Sequence, residues 1–164
     1  MRKKTGKKQK KFSKKENFKL IKFNNKYLKT IYLWRNENSV VKNSLSKKKF
    51  SYKNHKIWIQ SKLKIKSNKI FIFFKNKQPI GTCSIIKDKN NFYFNYLIKK
   101  NSRNRGYSKI MIKKFVSLLK KLKIKHKVIA IVIKSNQLSF KLLSKLGFKL
   151  MSMKRTYYIL KLKI

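Results

Sequence analysis

The chain has 164 residues, 41% of them hydrophobic and 13% aromatic, enough for one folded domain with a substantial core. Lysine and arginine total 48 against three acids, Glu16, Glu37 and Asp88, and the formal net charge of +45 favours anionic partners: nucleotides, nucleic acid or membrane surfaces. A single cysteine, Cys83, excludes an intrachain disulfide and a cysteine-rich zinc site, and no apolar run is long enough to span a membrane.

Residues 1–15 carry nine lysines or arginines, no acid and one aromatic, and read as a disordered basic tail. No apolar stretch follows the basic residues, so this is not a secretory signal, and the expected compartment is the cytoplasm. Residues 16–164 read as a single domain. Phe18–Phe23 is a short strand. Tyr27, Leu28, Ile31 and Trp34 follow helical spacing, which predicts a helix ending near Arg35-Asn36. Ser39–Leu45 is ambiguous. Ser51 is a helix N-cap for Tyr52 to Lys66, with Tyr52, His55, Ile59 and Leu63 as the apolar stripe and Trp58 beside it. Lys69–Lys75 and Ile80–Lys87 are strands around the turn Asn76-Lys77-Gln78-Pro79. A second turn, Asp88–Asn91, leads into the strand Asn91–Ile98, apolar on both parities as a strand covered on both faces would be.

Met111, Phe115, Leu118, Leu119 and Leu122 form one stripe of a long helix, with lysines mostly off it. Lys127–Ile133 suits a central parallel strand. Ser135-Asn136 opens a helix carrying Leu138, Leu142, Leu143 and Leu146, closed by Gly147. Phe148–Met153 and Thr156–Ile164 read as a final antiparallel pair. The order is strand, two helices, three strands, helix, strand, helix, two strands: an α/β chain with an antiparallel first half and one central β-α-β crossover.

Between the Asn91 strand and the long helix lies Arg103-Asn104-Arg105-Gly106-Tyr107-Ser108. A strand that feeds a helix through a glycine loop aims several backbone N–H groups and the positive end of the helix dipole at one point, which is a phosphate site. Gly106 admits a ligand close to the backbone, and the two arginines add charge and planar donors. The same residues also fit a basic turn with no ligand.

This order, with R-x-x-G-x-S heading the central helix, resembles the GNAT superfamily of acyl-CoA-dependent N-acetyltransferases, whose motif is R/Q-x-x-G-x-G/A. Arg103 and Gly106 match it, and Ser108 replaces the last small residue. Downstream, Asn136-x-x-Ser139 and Leu142-Leu143-x-Lys145-Leu146-Gly147-Phe148 resemble the family's N-x-x-(A/S)…G-F segment. Trp34-Arg35-Asn36-Glu37 followed by His55-x-x-Trp58 is similar to members that acetylate amino sugars on nucleotide carriers, and to relatives that acetylate ribosomal-protein N-termini.

The resemblance implies a mixed α/β (α+β) central sheet flanked by helices, with splayed central parallel strands. It implies acetyl-CoA as co-substrate, its pyrophosphate on the loop from Arg103 through Asn104, Arg105, Gly106 and Tyr107 to Ser108. The pantetheine arm would pair like an extra strand with Tyr96, Leu97 and Ile98, a backbone N–H there, at Tyr96, holding the thioester oxygen. Asn136 lies near the arm, or is the helix N-cap. On the acceptor side the resemblance implies Arg35, Asn36, Glu37 and His55. His55 is the candidate base, or a stripe histidine; Arg35 and Asn36 orient the acceptor, or cap a helix; Glu37 meets an incoming ammonium, or pairs with a lysine. Trp34, Trp58 and His126 are read as structural. No metal is implied. Two departures stand out: the tyrosine many relatives use to protonate the leaving thiolate is Leu143 here, and no acid follows Asp88 to act as a strand-borne base.

The function this implies is transfer of acetyl from acetyl-CoA to a primary amine, on a nucleotide-linked amino sugar. The alternatives are acetylation of ribosomal-protein-type N-termini and, in a different class, a basic nucleic-acid-binding module without catalysis. Non-specific polyanion binding is expected from charge in any of these cases.

Overall fold

A computed structural model describes residues 16–124 and 127–164. The expected basic tail and His126 lie outside the described residues.

The chain opens with strand β1 (Phe18–Lys22) and a 3₁₀ turn, Asn25–Tyr27, capped by the Asn24 side chain. Helices α1 (Leu28–Arg35), α2 (Asn38–Lys42) and α3 (Tyr52–Leu63) follow. Strands β2 (Lys69–Lys75), β3 (Gln78–Asp88) and β4 (Asn91–Ile98) form an antiparallel meander. Its two turns place Asn76 and Lys89 at positive φ. Then come α4 (Tyr107–Lys121), β5 (Lys127–Ile133), α5 (Gln137–Lys145), β6 (Lys149–Met153) and β7 (Tyr157–Lys163). One seven-stranded sheet results, ordered β1-β2-β3-β4-β5-β7-β6.

The sheet is buried on both faces near its first half. Ile72 and Phe73 are neighbours on β2, point to opposite faces, and are both fully buried. Ile72 belongs to a cluster in which Leu28, Ile31 and Ile59 of α1 and α3 meet Ile70, Phe74 and Ile86. Phe73 belongs to the larger cluster built by Met111, Ile112, Phe115 and Leu119 of α4 and Leu143 of α5 against Ile85, Phe94, Val128 and Leu160. Cys83 is buried there, and burial pushes its thiol well above the usual range.

β4 and β5 are parallel neighbours, but they pair only at Phe92 with Val128 and Tyr93 with Ile129. Beyond Tyr93 the two strands part. The expected splay is therefore present, and it leaves the β5-facing edge of β4 open from Phe94 to Ile98. Both following helices start at the mouth of this opening, α4 after β4 and α5 after β5. Helix α5 ends in a Schellman motif: Phe148 N–H donates to Leu143 O and Gly147 N–H to Ser144 O, with Gly147 at φ +92.

Several expectations are corrected. The ambiguous Ser39–Leu45 stretch holds the short α2. Helix α3 stops at Leu63 rather than Lys66, because Asn68 turns back to cap Lys62 O while accepting from Lys87 N–H. Only His55 and Ile59 of its stripe are buried. Tyr52, Leu63 and Trp58 are exposed, so Trp58 is not core, whereas Trp34 is. Leu138 lies off the buried face of α5. β4 is not covered on both faces: Phe92, Phe94 and Ile98 are buried, but Asn95 is exposed and Tyr93 and Leu97 are half-buried. The physical reason is that α1 and α3 cover β2 and β3 and stop short of β4.

Candidate functional site

The loop between β4 and α4 has the geometry of an anion cradle. Asn104 and Gly106 both take positive φ, 60° and 72°. Among the described residues, the N–H groups of Asn104, Arg105, Gly106, Tyr107 and Ser108 donate to no protein acceptor, while the Gly106 carbonyl already takes the first helical bonds, from Lys109 and Ile110. Consecutive free donors at the start of a fifteen-residue helix concentrate positive potential at one place. A Cβ on Gly106 would meet nothing within 4 Å, so glycine is required here by its backbone angle and not by crowding within the chain.

Arg103 does not point into this cradle. Its Nε donates to Ile98 O at 2.8 Å, Nη1 to Ser39 Oγ at 2.7 Å, and Nη2 to Glu37 Oε2 at 2.5 Å. Its backbone N–H goes to Lys100 O. The residue expected to bind phosphate is instead the anchor of the loop's first end, and Arg105, which is exposed, is the arginine left to face a ligand. Glu37, expected to meet an ammonium or a lysine, is the partner of that anchor. The loop's other end is held as well. Tyr107 is buried, stacks obliquely on Phe18, and has its hydroxyl bound by Lys75 Nζ at 2.5 Å; Lys75 in turn pairs with Glu16. Two of the chain's three acids thus fix the two ends of one loop. The hydrogen bond to Glu16 first, then that to Tyr107, raises the pKa of Lys75 above its ordinary value.

The open edge of β4 presents specific backbone groups. Lys99 N–H donates to Ile80 O, and the register with β3 has no bulge. Hydrogen-bonded pairs alternate in an antiparallel ladder, so Leu97 and Asn95 turn their N–H and C=O toward β3, and Tyr96 and Ile98 turn theirs toward the opening. The bond from Arg103 to Ile98 O agrees with this. Of the three residues expected to line a strand-like ligand, Leu97 is therefore engaged with β3. Tyr96 keeps both backbone groups for the opening, and Ile98 keeps its N–H.

Across the opening, Tyr96 Oη and Ser139 Oγ on α5 lie 2.6 Å apart. The ring of Tyr96 stacks on Phe94, with centroids 5.7 Å apart. Burial raises the phenol's pKa, and the bond to Ser139 works against that rise. Asn136 acts as the N-cap, its side chain accepting from Ser139 N–H at 3.2 Å. Leu143 is 1% exposed and belongs to the core, so the position where relatives carry an acid supplies packing only.

The acceptor-side residues are divided by the structure. Asn36 is a loop clamp: its side chain donates to Phe50 O and accepts from Phe50 N–H, both at 2.9 Å. Arg35 and His55 behave differently. Arg35 Nη1 and His55 Nδ1 are each buried with no partner within the described protein. Arg35 reaches Ser46 Oγ weakly at 3.4 Å and stacks over the Phe50 ring at 5.0 Å. Burial lowers the pKa of Arg35, and burial first, then the Arg35 charge, lowers that of His55. Around them stand Tyr32, Tyr52 and Trp58, with Tyr32 5.8 Å from the His55 ring and Trp58 6.4 Å. Phe50, Tyr32, Lys75 and Glu16 carried no local signal in the sequence, and the motifs that hold Ser139 and Tyr107 did not reveal the partners of their hydroxyls, because each contact joins segments distant in the chain.

A family model described as the acetyltransferase (GNAT) domain matches residues 17–149, and the chain belongs to that family. It is an acetyl-CoA-dependent N-acetyltransferase, which sets aside the non-catalytic nucleic-acid module as its principal role. No curated protein sequence matches the chain. Solved structures of low identity share the fold. A domain from Methanocaldococcus jannaschii is 18% identical with a TM-score of 0.80, over 91% of this chain and 99% of that one. Spermidine N-acetyltransferase from Vibrio cholerae, in complex with CoA and spermine, is 14% identical with a TM-score of 0.76, over 90% and 94%. The Campylobacter jejuni N-acetyltransferase PseH, in complex with acetyl coenzyme A, is 21% identical with a TM-score of 0.67, over 90% and 99%.

Proposed function

We propose that this enzyme acetylates a primary amine carried by an anionic acceptor, a nucleotide-linked amino sugar. One observation carries the reading: Arg35 Nη1 and His55 Nδ1 are buried without partners beside the half-exposed rings of Phe50, Tyr52 and Trp58. Buried donors are normally satisfied, and an unpaired guanidinium edge is suited to a phosphate oxygen. Aromatic faces beside it suit a nucleobase. A polycationic acceptor such as the spermine bound by the Vibrio cholerae relative fits poorly, because no unpaired acidic side chain is described beside these residues. Glu37 holds Arg103, Glu16 holds Lys75, and Asp88 ends β3 at the far end of β4.

On the donor side, the N–H groups from Asn104 to Ser108, with Arg105, would receive the pyrophosphate. The pantetheine arm would lie along Tyr96 and Ile98, and Tyr96 N–H would face the thioester oxygen; a preorganised donor of this kind contributes ~10²–10³ in rate. Holding amine and thioester together contributes much of the remainder. His55, kept neutral by burial and by Arg35, is able to take the amine proton.

The test separates the two sides. Arg35→Gln should raise KM for a UDP-linked amino sugar by about tenfold or more, the loss of one charge-assisted contact, with acetyl-CoA affinity unchanged. An unchanged KM would remove the anion-binding role.

A further inference from the structure

The chemistry leaves one proton without a source. When the acceptor nitrogen bonds to the acetyl carbon, the carbon–sulfur bond breaks and its electron pair moves to sulfur. A thiolate leaving from a partly buried site is assisted by a proton delivered in the transition state. The position where relatives carry a tyrosine for this is Leu143, sealed in the core. We infer that Tyr96, on the opposite wall of the opening, is the proton donor to the leaving sulfur, with Ser139 as the hydroxyl that aligns and reloads it.

Three features support this assignment, which rests on the acetyl-CoA reading above. Tyr96 is the residue whose backbone N–H and C=O face the open edge of β4, so the thioester carbonyl and the phenol are served by one residue. Its hydroxyl is carried across the splay to Ser139 at 2.6 Å, and Ser139 sits in the first turn of α5, at the mouth where β4 and β5 part. The phenol has no other hydrogen-bond partner among the described residues; Phe94 stacks on its ring, and no charged side chain perturbs its titration. Burial keeps the phenol protonated at neutral pH, the state a proton donor needs, and the Ser139 bond keeps it from becoming too weak an acid. The step balances. Sulfur takes the Tyr96 proton, the nitrogen releases one proton to its base or to solvent, and the tyrosinate recovers a proton from solvent through Ser139 Oγ.

CoA itself is the probe for binding and for the thiol pKa, and water is the acetyl acceptor for the rate readouts, so no amine acceptor need be known. The full-length protein is titrated with CoA, and ionisation of the bound thiol is followed by its ultraviolet absorbance against pH. A hydrogen bond from Tyr96 to sulfur stabilises the thiolate, so Tyr96→Phe should raise the bound thiol's pKa. The same variant should slow release of free thiol from acetyl-CoA by ~10²-fold, the low end for a general acid, with acetyl-CoA affinity held within about twofold. If Tyr96→Phe does not fold, 3-fluorotyrosine at position 96 keeps ring and hydroxyl and makes a stronger acid; the basic limb of the pH–rate profile should then move to lower pH. An unmoved thiol pKa with unchanged thiol release, or an unmoved basic limb, overturns the assignment. Failure of the unaltered protein to bind CoA would bring down the acetyltransferase reading itself, which is a distinguishable result.

Discussion

Replacing Glu37 with Gln tests whether the loop's anchor controls co-substrate binding. Glu37 Oε2 receives Arg103 Nη2 at 2.5 Å, with about a quarter of each side chain exposed (30% for Arg103 and 22% for Glu37). A hydrogen bond between charged groups contributes ~1.5–3 kcal/mol net. The guanidinium keeps Ile98 O and Ser39 Oγ in the variant, and partial exposure screens the pair, so the lower end applies. The expected loss is ~1–2 kcal/mol of stability, or a melting temperature lower by roughly 2–8 °C for a domain of this size. About half of that, appearing as looser placement of Asn104 to Ser108, would weaken acetyl-CoA by about two- to fivefold. The substitution also adds one unit of positive charge, which would favour an anionic ligand through the general field. Asp88→Asn makes the same charge change at the end of β3, away from the loop. Calorimetric titration of acetyl-CoA into both variants separates the effects. Asp88→Asn should leave affinity unchanged or slightly raised, while Glu37→Gln lowers it. Equal affinities in the two variants would refute the anchoring role.

Gly106→Val should weaken acetyl-CoA binding by about tenfold at a stability cost of ~1–2 kcal/mol, because a β-branched residue is forced to φ +72 although no atom obstructs its Cβ; calorimetry and a thermal melt check the two figures together. His55 has a folded-state pKa depressed below its unfolded value, so the unfolded chain binds more protons as pH falls. Its contribution is complete above the unfolded pKa of about 6.5 and is lost on going below it toward the folded value, so the melting temperature should drop with pH in that window, and His55→Gln should flatten the drop. With 48 cationic groups against three acids, two of them already paired, added salt should raise the melting temperature by screening, and a flat or falling trend at moderate salt would contradict the repulsion argument.

The elements that carry strong periodicity were legible before any coordinates. Of the stripe Met111, Phe115, Leu118, Leu119 and Leu122, Met111, Phe115 and Leu119 are buried, Leu118 is half-buried and Leu122, past the helix end, is exposed; Ser51 caps α3 through Asn54 N–H, and Gly147 closes α5. The turn between β4 and α4 was legible too, because a glycine between a strand and an amphipathic helix marks a backbone position of positive φ, which Gly106 takes. What sequence could not supply was which side chains are already engaged by distant partners. Arg103 and Glu37 are 66 residues apart and Tyr96 and Ser139 are 43 apart, so nothing local marks either pair. Both arginines of the loop therefore read alike, and Glu37 read as available. Trp58 read as core because its spacing places it beside Ile59; in the fold, α1 and the sheet cover only a narrow side of α3, and the tryptophan remains 46% exposed. Asn36 and Arg35 are adjacent in sequence with opposite fates, one clamping Phe50 on both sides and the other left with a free edge.

Isotopically labelled acetyl-CoA, offered with the full-length protein to three amines in parallel, decides the acceptor class: a UDP-linked amino sugar, spermidine, and a peptide with a free N-terminus. Mass spectrometry then reads which product carries the label. Labelled amino sugar is expected at the highest kcat/KM, with free UDP as a competitive inhibitor whose effect is lost in Arg35→Gln. Preferential labelling of spermidine, with no inhibition by UDP, would contradict an amino-sugar acceptor.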